Sequence, residues 1–318
     1  MIKKLIVGAI FGAVFLSGPV AGVQAMEITQ LANMPVEGDF VLGPGKVELF
    51  LDPGETAIRT LNVTNRSGKA LKVIVEKEDF TGDAQNSTRL LGDEAGPYSL
   101  KDLLVPEKEE FVLAHGEKAS LPVTISVPSD MEPGGRYGAM IFRVEPENLG
   151  ADETKNEAQG SVSLVSRLAT LFFVRIKGPV KEEGALKSFT AGKSIYQKSP
   201  VNFSVVYENK GSVHLNPYAQ IEIKNILGKK VDAIEIQPWF VMPGFTREKV
   251  ISWDKGLAFG RYTAVLSLNR GYGNLVDEQK TSFWVIPVKV IAAGLLAIAF
   301  LAFVIWWFAS RFELKRKK

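Results

Sequence analysis

His115 and His214 are the only histidines in a 318-residue chain that has no cysteine. Without thiols, disulfide frameworks, thiolate metal sites, cysteine nucleophiles and redox motifs are all excluded. His115 stands before Gly116 in a turn pattern, and no serine occupies a nucleophile elbow with which it could work. Glu107, Glu109 and Glu110 gather three carboxylates. Glycoside hydrolysis needs two carboxylates facing across a cleft, whereas these precede one strand and read as a solvated turn. Asp79, Asp83, Asp93 and Glu94 flank a loop that could offer oxygen ligands to a cation, although their spacing is not that of an EF-hand. The glycine-rich Pro133-Gly134-Gly135 has no helix after it and so makes no phosphate cradle. The residues therefore predict a non-enzymatic protein with no catalytic, cofactor or metal site, and the segment from Asp79 to Glu94 is the one place where a cation could lodge.

Recognition by contact has better material. Trp239 and Phe240 follow Pro238, and Phe245 sits in a Pro-Gly turn. Together they could form an aromatic edge for carbohydrate or protein, or else fill a core. Asn62, Asn65 and Asn86 begin glycosylation triplets, which matter only in a eukaryotic secretory pathway.

The elements that must carry these residues read as strands. Short alternating runs rich in Val, Ile, Thr and Phe recur at Lys46 to Leu51, Ala57 to Thr64, Leu71 to Glu76, Ala119 to Val127 and Gly138 to Val144. Turn clusters such as Asp52-Pro53-Gly54 and Glu132-Pro133-Gly134-Gly135 separate them. Strands at this spacing, with no long helical period, predict two tandem immunoglobulin-like β-sandwiches. The chain also repeats itself in order. Asn65-Arg66-Ser67-Gly68 matches Asn209-Lys210-Gly211, and Phe111 to Gly116 matches Phe240 to Gly244. Gly135-Arg136-Tyr137 matches Gly260-Arg261-Tyr262. A tyrosine opening a late strand after a glycine turn has the pattern of a tyrosine corner, so Tyr137 and Tyr262 are expected to tie turn to strand. The long apolar run Val162 to Ile176 closes the first sandwich, with the polar stretch 146–160 as its hairpin loop. This predicts a lead segment at 26–40 and sandwiches at 41–178 and 179–287.

The two ends differ. Residues 1–25 have Lys3 and Lys4, a twelve-residue apolar core and Val23-Gln24-Ala25 before Met26, the layout of a cleaved signal peptide. Residues 288–310 contain 21 consecutive uncharged positions, about 30 Å of helix, which predicts a transmembrane anchor. Trp306 and Trp307 fall where an aromatic belt belongs, and the basic tail 311–318 is expected to stay in the cytoplasm. The lipid bilayer is thus one expected partner, and the bulk of the chain is expected outside the cell as a single-pass type I protein. Between the two ends 31 basic residues face 34 acidic ones, so the formal +3 of the whole chain is no footprint for nucleic acid.

Tyr98-Ser99-Leu100-Lys101-Asp102-Leu103, then Val112 to Lys118, Val123 to Pro128 and Gly134 to Ala139 run in an order that resembles the peptidoglycan-binding domain of the WxL-interacting proteins of Gram-positive bacteria. That family also carries a signal peptide, a second sandwich, one membrane helix and a basic tail. The resemblance implies a surface scaffold whose first sandwich contacts cell-wall peptidoglycan. The second would contact a WxL-type surface protein or a host ligand. An accessory subunit or chaperone-like component of an exported membrane complex, pairing an exposed strand edge with a client strand, is the alternative.

Overall fold

The computed structural model describes residues 25–83, 88–146, 166–255 and 259–311. The signal segment before Ala25, the tail beyond Arg311 and most of the polar hairpin loop lie outside these residues.

The chain is mostly β, in two sandwich-like regions. The first begins with β1 (Glu27–Gln30), β2 (Phe40–Gly43), β3 (Lys46–Leu51), β4 (Thr56–Asn65) and β5 (Leu71–Gly82). It continues with β6 (Thr88–Leu90), β7 (Leu104–Pro106), β8 (Glu110–Leu113), β9 (Glu117–Ser126), β10 (Gly134–Pro146) and β11 (Ser166–Ile176). One sheet runs β1-β9-β4-β2 with β7 also on β9; the other runs β3-β11-β10-β5-β6 with β8 also on β5. Alternation dictates the inner faces: Leu61 and Val63 of β4 meet Leu121, Val123 and Ile125 of β9, and Val73, Phe142 and Phe172 come from the opposite sheet. The lead segment is not a passive arm, since β1 pairs with β9 from Glu27↔Ser120 to Gln30↔Glu117. The last strand, β11, pairs antiparallel with β10 along its whole length and parallel with β3.

The second sandwich comprises β12 (Gly184–Ala191), β13 (Ile195–Tyr196), β14 (Val201–Asn209), β15 (Tyr218–Asn225) and β16 (Lys230–Ile236). Then follow β17 (Thr246–Trp253), β18 (Gly260–Asn269) and β19 (Val276–Val285). Its sheets are β12-β14-β17 and β13-β19-β18-β15-β16. The short β13 pairs parallel with β19, as β3 does with β11. Phe203, Tyr207, Trp253, Tyr262 and Phe283 dominate its core.

The sequence repeat has a physical cause in two fully buried asparagines. Asn65 Nδ2 donates to the carbonyls of Lys69 (2.7 Å) and Leu113 (2.8 Å), and its Oδ1 accepts from the Ser67 amide (2.9 Å). Asn209 Nδ2 donates to Val213 and Val241, each at 2.8 Å, and Oδ1 accepts from Gly211 (2.9 Å). Their main-chain carbonyls accept from Gly116 and Gly244, each at 2.9 Å. Each asparagine therefore clips the end of an inner strand to a distant loop, which is why Asn-x-(x)-Gly and the later glycine turn recur together. Burial also removes Asn65 as a glycosylation acceptor.

After β19 comes α1 (Val288–Arg311). Among the described residues no helix is long and apolar enough to cross a membrane. Of the transmembrane helix expected at 288–310, the structure shows the helix, at Val288–Arg311, and not a membrane span.

Candidate functional site

β10 and β11 carry apolar runs with no alternation, Gly138-Ala139-Met140-Ile141-Phe142 and Leu171-Phe172-Phe173-Val174, so both of their faces must be covered. The inner face turns Met140, Phe142, Phe172 and Val174 into the first core. The outer face turns Tyr137, Ala139, Ile141 and Phe173 into a separate cluster with Phe80 of β5 and Met242 of the second sandwich. Phe240 and Phe245 pack against this cluster. The Phe240 and Phe173 rings lie 4.7 Å apart, and the Arg247 guanidinium sits 4.6 Å above the Phe240 ring.

A polar clasp closes the same junction. The Tyr137 hydroxyl accepts the main-chain N–H of His214 at 2.7 Å and lies 3.3 Å from His214 Nδ1. On the other side of that ring, Nε2 is 2.9 Å from Glu48 Oε1. The same oxygen accepts from Asn216 Nδ2 at 2.9 Å, and Glu48 Oε2 pairs with Lys46 at 2.9 Å. The donors around Glu48, His214 first, outweigh its desolvation and hold its pKa down at about 2. Burial pushes the Tyr137 phenol well above its ordinary range. The His214 side chain is only 2% exposed. This Tyr-His-Glu group has the residue types of an acid–base site, but Tyr137 and His214 are buried and its bonds tie the two sandwiches together.

The expected tyrosine corner at Tyr137 is therefore corrected. Its hydroxyl crosses to the other sandwich because Gly135 leaves the room: a Cβ there would collide with that oxygen. Tyr262 is buried and stacks on Phe283 with ring centroids 5.7 Å apart. The aromatic edge expected from Trp239, Phe240 and Phe245 is corrected as well. Trp239 lies in the second core, and the two phenylalanines are half-buried at the junction, so none stands free for a ligand.

Among the described residues no group of His, Asp and Glu could hold a metal ion. In the loop from Asp79 to Glu94, the buried Asp79 carboxylate accepts the amides of Leu100 and Lys101, each at 2.9 Å. Lys101 Nζ donates to the carbonyls of Asp93 (2.8 Å) and Glu94 (3.3 Å), so an ammonium occupies the oxygen cluster. Glu107, Glu109 and Glu110 are exposed, Glu110 paired with Lys72. His115 is a strut: its Nδ1 accepts from Gly68 (3.1 Å) and Nε2 reaches the Met34 carbonyl (3.1 Å), fastening the lead segment.

What remains open is strand edge. Among the described strands β17 pairs in a ladder with β14 alone, which makes it an edge strand of its sheet. β12, equally long, has side chains on its outer amides: Asp277 accepts from Leu186 at 3.0 Å and Thr281 from Ala191 at 3.4 Å. Val250 at the middle of β17 is 62% exposed. Sequence reasoning missed Glu48, His214 and Asn216 as partners and this edge as a site. The unbroken apolar runs of β10 and β11 were the available signal.

No family model and no curated protein match the chain, so the likeness to the WxL-interacting proteins stays an expectation of the sequence. Solved structures that it resembles include the class 5 fimbrial chaperone CfaA, with 12% identity and a TM-score of 0.39 over 79% of this chain and 100% of that one. The Escherichia coli chaperone DraB gives 16% identity and 0.33, covering 78% and 97%. A structure of the Salmonella enterica SafA pilin in complex with the SafB chaperone gives 14% and 0.35, covering 78% and 96%.

Proposed function

We propose that this chain is a non-enzymatic, exported, membrane-tethered binding protein that takes an extended segment of a protein partner on the edge of β17. The observation that carries this reading is the place of β17 at the edge of its sheet, next to β14 alone among the described strands, together with a junction that fixes where the strand points. Main-chain donors and acceptors along such an edge complement any extended polypeptide, and alternate side chains add selectivity. The accessory or chaperone-like role fits this geometry better than wall-polymer binding, because Trp239, which would have stacked on sugars, is buried and Phe240 and Phe245 are packed at the junction. Enzymatic function is disfavoured because the chemistry-bearing Tyr137 and His214 are buried in the junction and Glu48 is engaged by His214, Asn216 and Lys46.

The unit boundaries proposed are 41–178 and 179–287, with the signal peptide removed and the C-terminal helix as anchor. As a whole that helix has 24 residues, about 36 Å, with no charge from 290 to 310, and all its described side chains except Val304 are exposed. An apolar helix with no protein packed against it is at home in lipid.

A photo-crosslinking residue at Val250, compared with the same residue at Phe50 of β3, tests the partner site in whole cells. One stoichiometric adduct from position 250 and none from 50 is expected. Equal yields from both, or none from 250, would overturn the β17 assignment.

A further inference from the structure

The strand register brings four segments to the end of the second sandwich from which α1 departs. Val285, the last residue of β19, is opposite Gly260, and Trp284 is opposite Ile195 of β13. Tyr262 lies between Phe283 and Asn225, so the β15–β16 turn at 226–229 projects from the same end. The loop into β18 arrives there too, ending at Phe259. Only Ile286 and Pro287 separate β19 from the helix, a reach of at most about 7 Å. The Ile286 amide is bonded to the Tyr196 carbonyl at 2.8 Å, which keeps the exit against the sandwich. Pro287 and Val288 share one cavity of about 990 Å³ with Lys193, Ile195 and Lys198.

The side chains at this end are unlike those of an ordinary loop cluster. Leu227 is 86% exposed, Ile226 68% and Phe259 64%, with Ile195 and Trp284 also exposed. These apolar tips are set among Lys193, Lys198, Lys229 and Lys230, none of which forms an ion pair with a described residue. Lys224 and Lys255 add charge although they pair with Glu222 and Asp232, and Asp254 is the opposing exposed carboxylate. Apolar tips ringed by lysines suit the boundary between acyl chains and anionic headgroups: the tips enter the interface while the ammonium groups meet phosphate.

We infer that this end of the second sandwich is a lipid-docking face that seats the protein on an anionic bilayer. The inference rests on the reading of α1 as the anchor, since a helix entering the membrane two residues after β19 holds these tips at headgroup level. The occupant is the bilayer surface because the face is continuous with the helix and its charge complements anionic lipid. Docking at several points fixes the tilt of the whole body, and with it the height at which the β17 edge is offered.

Because the chain has no cysteine, Leu227→Cys gives a unique label site at a position too exposed to matter for folding. Leu275→Cys, in the β18–β19 turn at the opposite end, is the control. Full-length protein carrying a fluorophore at either site is reconstituted into phosphatidylcholine vesicles with and without phosphatidylglycerol and a headgroup-linked nitroxide quencher. The label at 227 is expected to be quenched several-fold more than that at 275, more strongly with phosphatidylglycerol. K193E/K198E/K229E/K230E is expected to remove the added quenching. Equal quenching at both sites would overturn the inference, as would a label at 227 shielded from aqueous acrylamide yet untouched by the nitroxide, which would place a second copy of the chain over the tips. Alkaline carbonate separates the two readings. Resistance without quenching at 227 removes the docking face and keeps the anchor; release with quenching retained removes the anchor and keeps the face.

Discussion

The two sandwiches use the same sequence device for different ends. Gly135-Arg136-Tyr137 and Gly260-Arg261-Tyr262 each open a strand beside the last strand of their unit, β10 against β11 and β18 against β19. Tyr262 turns inward and joins a ring cluster with Trp253 and Phe283. Tyr137 turns outward, because the outer face of β10 is roofed by a second sandwich, and its hydroxyl becomes a tie between units. Among the described residues no second sandwich roofs the outer face of β18, so no equivalent of the junction forms there. A local motif specifies where a strand begins; whatever covers the sheet decides what its tyrosine does. The asparagine clips behave in the opposite way, since Asn65 and Asn209 make equivalent bonds within their own units. One repeated element is therefore context-free and the other is not.

That contrast can be broken most severely at the asparagines. Asn209→Ala strands two buried carbonyls and a main-chain amide, Asn65→Ala strands one buried carbonyl, one part-buried carbonyl and a main-chain amide, and each is expected to cost about 3 kcal/mol. Urea unfolding monitored by tryptophan fluorescence checks this. The described tryptophans of the sandwiches, Trp239, Trp253 and Trp284, all lie in the second unit, so Asn209→Ala should shift the fluorescence transition directly. Asn65→Ala should shift it only as far as the junction couples the units. Equal small losses below about 1 kcal/mol would mean that the clips are not what the repeat preserves.

Acid sharpens the comparison at the junction itself. Glu48 is held at a pKa of about 2 against an ordinary 4.5, so its bonds stabilise the folded, joined state fully above about pH 4.5. That contribution is lost as pH falls from there toward 2, and after solvent screening amounts to about 2–3 kcal/mol. The expected outcome is loss of contact between the sandwiches on that limb, read as a rise in hydrodynamic radius before β-structure is lost by circular dichroism. Glu48→Gln should flatten the dependence. A radius independent of pH down to 2 would show that the aromatic cluster alone holds the units together.

Much of this architecture was legible because strands alternate and turns carry Gly, Pro and Asp. Two-sandwich organisation, the parallel of late strands and the pairing of 166–176 with the preceding strand all follow from period-two patterns and the repeat. The roles of Trp239, Phe240 and Phe245 were not legible, because periodicity in one strand does not reveal which body will cover its other face. Nor was the Lys101 ammonium in the Asp79 loop, since it depends on where a 3-10 turn at Lys101–Leu103 brings a side chain back. Lys46-Val47-Glu48-Leu49-Phe50-Leu51 shows both sides of the matter. The sequence pattern puts Val47, Leu49 and Leu51 inside, but only the fold gives Glu48 a histidine from 166 residues away.

The smallest expected effect is also the one that tests the tyrosine comparison most directly. Tyr137→Phe keeps the ring contacts with Phe80 and Phe173 at 5.9 and 5.8 Å but removes the acceptor for the buried His214 amide. That amide then has no partner in the junction, at a cost of about 1–2 kcal/mol. The loss should fall on the coupling between units and leave each sandwich intact, so one cooperative thermal transition should separate into two. Tyr262→Phe keeps the stack on Phe283 and does not touch the junction. Its melt should therefore stay single, whatever its midpoint. If both variants split the transition, or neither does, Tyr137 is no more a tie between units than its counterpart, and the junction must be ascribed to Phe240, Phe245 and Met242 packing on β10 and β11.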